Sequence, residues 1–244
     1  MRGLRHGLGT VSTPPIVSNE LAWHPAFGAV YVTIHELPDD PQQQVEITID
    51  TMRRYTLDSL SDPALINDVY QSAQSDDAVT DAKRYLQRNG AAGMRYVRDE
   101  ETGSPFEVYK WKPVIEMLMP PAGQVRSPYR AGDCDDFAMI GAAHLLSRGV
   151  PCSFVTLAAD PDNPGDYSHV YLAAYPTDGP WAGMRVALDL SHGHEHEIGW
   201  EAPNKYGNIR EWPLVSTSLS WIALGVGALG IGALAYYALK GKAN

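Results

Sequence analysis

Between Asp133 and Leu190 the hydrophobic period of the chain switches once, and that switch restricts the possible folds more than any other feature. From Asp135 to Arg148, Phe137, Ile140, His144 and Leu145 recur at helical spacing. Gly149 follows as a C′ residue and Pro151 blocks continuation. Three strand-like runs come next, over 152–159, 168–175 and 184–190, with Asp160 to Asp166 as the loop between the first two. Upstream the pattern is mostly helical, over about 50–60, 62–74 and 76–89. Asp62-Pro63 opens the second of these with Pro at N1, and Gly90 ends the third. Residues 106–119 read as a helix around Val108, Trp111, Ile115 and Leu118, stopped by Pro120-Pro121. Nearer the start, Ala29–Ile34 reads as a strand, Pro38–Pro41 as a turn and Val45–Ile49 as a second strand. Residues 1–28, rich in Gly, Pro, Ser and Thr, read as an extended arm. Helices first and strands later predict an α+β fold with an antiparallel sheet. No internal repeat is present.

The chain has 244 residues, enough for one domain with an appendage. Its net charge of −10, with Lys and Arg scattered, argues against a nucleic-acid surface. Cys134 and Cys152 are the only thiols, so no disulfide scaffold is implied. Cys152 lies in a strand pattern and reads as core. The first ten residues are basic but lack an apolar h-region, so no signal peptide is expected.

The other end differs. Leu219 to Leu239 is an uncharged run of 21 residues, and at a rise of ~1.5 Å per residue it spans a hydrocarbon core of ~30 Å. Trp221 and Tyr236-Tyr237 suit the two interfaces, and Lys240 and Lys242 close the run. The reading is a C-terminal transmembrane anchor. Its small-residue pairs Ala223/Gly227 and Ala228/Gly232 allow close helix packing and hence self-association. The organisation is therefore an arm with a short strand over 1–40, a main domain over 41–212 and an anchor over 213–244.

The candidate chemistry begins with Cys134 in Gly132-Asp133-Cys134-Asp135-Asp136. Asp133 reads as an N-cap, which puts Cys134 in the first turn, where unpaired N–H groups favour a thiolate. Asp135 and Asp136 oppose that, so their side chains are expected in caps or structural hydrogen bonds. His169 follows in one strand-like run and Asp189 in the next. Cys, His and Asp in that order read as nucleophile, base and orienting acid. The Cys134 backbone N–H is expected to serve as one oxyanion donor, with Gln124 or Tyr129 as candidates for the other. His192, His194 and His196 alternate and could ligate a metal, but a thiol triad needs none and no fourth ligand is clear. No metal and no cofactor is assigned.

Gly132 to Ala138 together with Leu145-Leu146-Ser147-Arg148-Gly149-Val150-Pro151, His169-Val170-Tyr171 and Leu188-Asp189 resembles the transglutaminase-like superfamily of papain-type fold. The resemblance covers about Asp76 to Trp200. It implies a nucleophile helix packed on an antiparallel sheet, with Cys134 as nucleophile, His169 as base and Asp189 as orienter. Tyr171 departs from the pattern, since many members carry Trp there. The family includes cysteine peptidases, amidases and protein cross-linkers. The implied activity is attack on a peptide or carboxamide carbonyl, with the acyl group passed to water or an amine.

The expected partners are a protein or peptide substrate and a membrane. The expected location is a single-pass membrane protein whose soluble domain is cytoplasmic or inside a virion. The rival reading is a non-enzymatic structural or binding component, for example of a bacteriophage virion, that uses the same fold.

Overall fold

The computed structural model describes residues 16–24, 28–87, 94–98, 115–127, 130–162, 164–191, 196–202 and 209–215. The class is mixed helix and sheet, with the strands mostly antiparallel, as the sequence pattern predicts.

A hairpin of β1 (Ile16–His24) and β2 (Gly28–Glu36) opens the described chain. Helix α1 (Pro41–Ser59) follows. Asp40 accepts the Gln43 N–H at 2.8 Å and Pro41 sits in the first turn, so the helix starts before the β-branched run at Val45–Ile49. That run is helical and not a strand. Asp62 caps α2 (Pro63–Ser72) in the same way, accepting the Ala64 N–H at 2.9 Å. Helix α3 (Ala78–Gln87) completes the helical layer.

Strand β3 (Arg95–Tyr96) pairs in parallel with β5 (Ala131–Gly132). Ile115–Leu118 is a strand, β4, where a helix was expected. It pairs with β2 over Thr33–Glu36, so the strand read as part of an N-terminal arm joins the main fold. The remainder of the expected 106–119 helix lies outside the described residues. Pro120-Pro121 does not end a helix but starts a short one, α4 (Pro121–Arg126).

Helix α5 (Cys134–Ser147) is the centre of the molecule. Every residue from Asp135 to Leu146 is buried. A helix apolar almost all round needs neighbours on all sides. Here α1, α2, α3 and a four-stranded sheet supply them. That sheet is ordered β8-β7-β6-β9, from β6 (Cys152–Leu157), β7 (His169–Ala174), β8 (Val186–Leu188) and β9 (Ile209–Pro213). Alternation divides its faces. Phe154, Val170, Leu172, Val186 and Leu188 share the main core with Phe137 and Ile140 of α5. Val155, Leu157, Tyr171, Ala173 and Ala187 form a smaller cluster on the other face, with Ala202.

Trp212 and Leu214 belong to the main core, and the Leu214 N–H donates to the Cys152 carbonyl. The packed domain therefore runs past residue 212, where the sequence reading ended it. The proposed anchor, Leu219–Leu239, lies outside the described residues. No helix among the described residues is long and apolar enough to cross a membrane.

Candidate functional site

The β5 strand delivers the chain to α5. Gly132 pairs with Tyr96, and its carbonyl accepts the Val97 N–H at 2.9 Å. Asp133 stands at the N-cap with an extended backbone but makes no side-chain cap bond. Its carbonyl accepts the Phe137 N–H at 3.1 Å. Cys134 is the first helical residue and is partly exposed.

The acidic residues beside it divide by role. Asp136 is buried, and its Oδ1 accepts the Met119 N–H at 2.8 Å and the Gln124 Nε2–H at 3.2 Å. It ties the start of α5 to the end of β4, a structural use that the sequence reading anticipated. Gln124 is fully buried, and Nε2 also reaches the carbonyls of Met119 and Asp136 at 3.1 and 3.3 Å. With three acceptors around it, that amide has no proton left for an oxyanion, so Gln124 drops out as second donor. Tyr129, the other candidate, lies outside the described residues. One carboxylate oxygen from each of Asp133, Asp135 and Asp136 lies within 4.8 Å of the others. Asp136 spends its Oδ1 on structure, and the three carboxylates by themselves carry no metal assignment.

His169 and Asp189 come together. His169 is the first residue of β7, and Asp189 follows the last residue of β8, its neighbour in the sheet. Nε2 of His169 lies 2.8 Å from Oδ2 of Asp189, and both side chains are buried. Oδ1 of Asp189 accepts the Ser191 hydroxyl at 2.9 Å. With the proton of the ring on Nε2, the lone pair that can take up a proton is on Nδ1. On the same face of β7, Tyr171 follows His169 with the rings 6.4 Å apart. The Tyr171 hydroxyl donates to Glu201 at 2.8 Å, and Arg185 donates to the same carboxylate at 2.8 Å.

Tyr96 was not singled out in the sequence. It lies in a two-residue strand between segments without clear periodicity, and only its pairing with Gly132 reveals its position. Its side chain is 44% exposed and its ring lies 6.2 Å from that of Phe137. Burial raises its pKa first, and the charges of Cys134 and Asp133 raise it further. The hydroxyl is thus a neutral donor within electrostatic reach of the thiol. Cys152 is different in kind. It is enclosed in the core, and burial pushes its thiol pKa up.

Of the three alternating histidines, His192 and His194 lie outside the described residues. The His196 ring stacks on Trp200 at 3.7 Å and 10°. Comparison with protein-family models, with curated proteins and with solved structures finds no match.

Proposed function

We propose that this chain is a thiol enzyme of transglutaminase-like, papain-type character, anchored to a membrane through 219–239. The observation that carries this reading is the buried 2.8 Å contact of His169 with Asp189 on adjacent strands. Cys134 supports it by opening the helix that packs on β7. A buried imidazole–carboxylate pair on a sheet that packs against a helix opening on a cysteine has the composition of an activated-thiol site.

In this reading the thiol proton passes to Nδ1 of His169, and Asp189 balances the imidazolium through Nε2–H. The Cys134 sulfur bonds to the carbonyl carbon of a peptide or carboxamide. The backbone N–H of Cys134 and the Tyr96 hydroxyl are the donors offered to the oxyanion. Collapse of the tetrahedral intermediate breaks the C–N bond, and the His169 proton leaves with the amine. Water or a second amine then attacks the thioester, giving hydrolysis or acyl transfer and restoring the thiol.

The test is alkylation by iodoacetamide at pH 7 in the full-length protein. Cys134 should react faster than a free cysteine thiol, Cys152 should stay unmodified, and His169→Ala should remove the advantage of Cys134. A Cys134 rate equal to that of the free thiol and indifferent to His169→Ala would overturn the reading and favour a non-enzymatic structural role. Profiling with peptide amides, with and without an added primary amine, then separates hydrolysis from transfer.

A further inference from the structure

After Asp189 the chain leaves the sheet and returns over His196–Ala202. Three contacts hold the returning part against the sheet. The Gly199 N–H donates to the Ala187 carbonyl at 2.9 Å. Glu201 takes the Tyr171 and Arg185 donors described above. Ala202 packs into the outer cluster of β6, β7 and β8. A further contact comes from the helical layer, where Nζ of Lys83 on α3 donates to the backbone carbonyl of His196.

Lys83 is an unusual residue to find there. It is 8% exposed, whereas the side chain of its neighbour Arg84 is 59% exposed. Enclosing an ammonium carries a desolvation cost that a methionine of similar length would avoid. Burial lowers its pKa, and the charge of Glu197 opposes that shift. The lysine makes one bond that an apolar side chain cannot, and that bond lands on the segment that returns against β8.

We propose that Lys83 is a positioning residue for the candidate site. By holding the His196 carbonyl it fixes the returning segment, whose Gly199 N–H bonds the Ala187 carbonyl two residues before Asp189, and so aligns the Asp189 carboxylate with Nε2–H of His169. Its effect on chemistry rests on the function proposed above. Its effect on the imidazole does not.

The experiment uses the full-length protein with Lys83→Met, Lys83→Gln and Lys83→Arg, and two readouts. The first is the Nε2–H resonance of His169 in histidine-labelled protein, assigned by its loss in His169→Gln. It should shift in Lys83→Met and Lys83→Gln and return towards the wild-type position in Lys83→Arg. The second is the Cys134 alkylation rate, which should fall about tenfold in Lys83→Met, the scale expected for a misaligned catalytic group. Adding Lys83→Met to Asp189→Asn should cause no further loss if Lys83 acts through Asp189. A His169 resonance unmoved in folded Lys83→Met or Lys83→Gln overturns the proposal. So does an equal loss of rate with Asp189 present or replaced. If the resonance shifts but His169→Ala leaves alkylation unchanged, the positioning role stands and the thiol-enzyme reading falls.

Discussion

Gly132 shows how one missing methyl group allows the start of α5 to form. A Cβ placed there would lie 2.1 Å from Oδ2 of Asp136 and 2.4 Å from its Cβ. Asp136 cannot swing away without releasing the Met119 N–H and the Gln124 amide. The glycine thus permits the buried carboxylate that joins β4 to α5. Gly132→Ala should destabilise the protein by about 1–3 kcal/mol through overpacking. Asp136→Ala should cost a similar amount, about 1–3 kcal/mol, by leaving the buried Met119 N–H unpaired. Denaturant melts of the two variants and of the double variant check this. The double variant should recover only part of the Gly132→Ala loss, because the carboxylate is gone but the Cβ at position 136, 2.4 Å from the added methyl group, remains. Additive losses would show that the clash is not with the Asp136 carboxylate. Little of this was legible beforehand. The sequence marked Gly-Asp-Cys-Asp-Asp as a site and anticipated structural bonds for the aspartates, but not which of them packs on Gly132 or binds Met119.

At the scale of elements, α3 and α5 are joined at the far end from Cys134. Arg148, just past the end of α5, bonds to Asp81 and donates to the Ser75 carbonyl at 2.8 Å. Asp81 on α3 also takes the Ser75 N–H and hydroxyl, each at 3.0 Å. Burial alone would raise the Asp81 pKa, but the Ser75 and Arg148 bonds outweigh it and hold it below the ordinary value. The sign follows. A folded-state pKa below the unfolded value of ~3.9 means that the unfolded chain binds the proton more readily. The stabilisation is therefore complete above that value and is lost as the pH falls through the lower, folded one. Arg148→Met removes one of the bonds that offset burial. Its stability deficit against wild type should be largest near neutral pH and shrink below about pH 4. A deficit independent of pH in denaturant melts at pH 7 and pH 3 would contradict this.

The helices themselves were largely legible where caps and periodicity agreed. Asp62-Pro63 announced α2, whereas the same Asp-Pro signal at Asp40-Pro41, which starts α1, was read as part of a turn. There the alternation of Val45, Ile47 and Ile49 competed with the signal and was read as a strand, but packing of Ile49 and Met52 into the core overrides it. β4 read as helical because its apolar residues also fit that period, and its pairing with β2 is invisible to local pattern. β9 was missed because it is an edge strand with Trp212 as its one buried residue.

On the scale of the whole molecule, the question is where the packed domain ends. The sequence breaks at Pro213, between a polar stretch and the apolar tail. Packing puts the limit slightly later. Trp212 lies in the main core and donates to the Thr156 hydroxyl at 3.0 Å. Leu214 is 3% exposed, and Val215 packs against the same core. A chain cut before Leu214 would lose a buried leucine side chain, worth about 1.5–3 kcal/mol. It would also lose the hydrogen bond to Cys152 that continues the β6–β9 pairing. A chain cut after Val215 keeps both and discards the uncharged run. The chain ending at Val215 should therefore stay in the aqueous phase and unfold cooperatively, while the full-length chain partitions into detergent. The chain ending at Pro213 should be soluble but melt at a lower temperature. Phase partitioning and thermal unfolding of the three chains decide both points. Equal melting of the two truncated chains would remove Leu214 from the core. A full-length chain that stays in the aqueous phase would remove the anchor, leaving a thiol site on a domain with no membrane attachment through this segment.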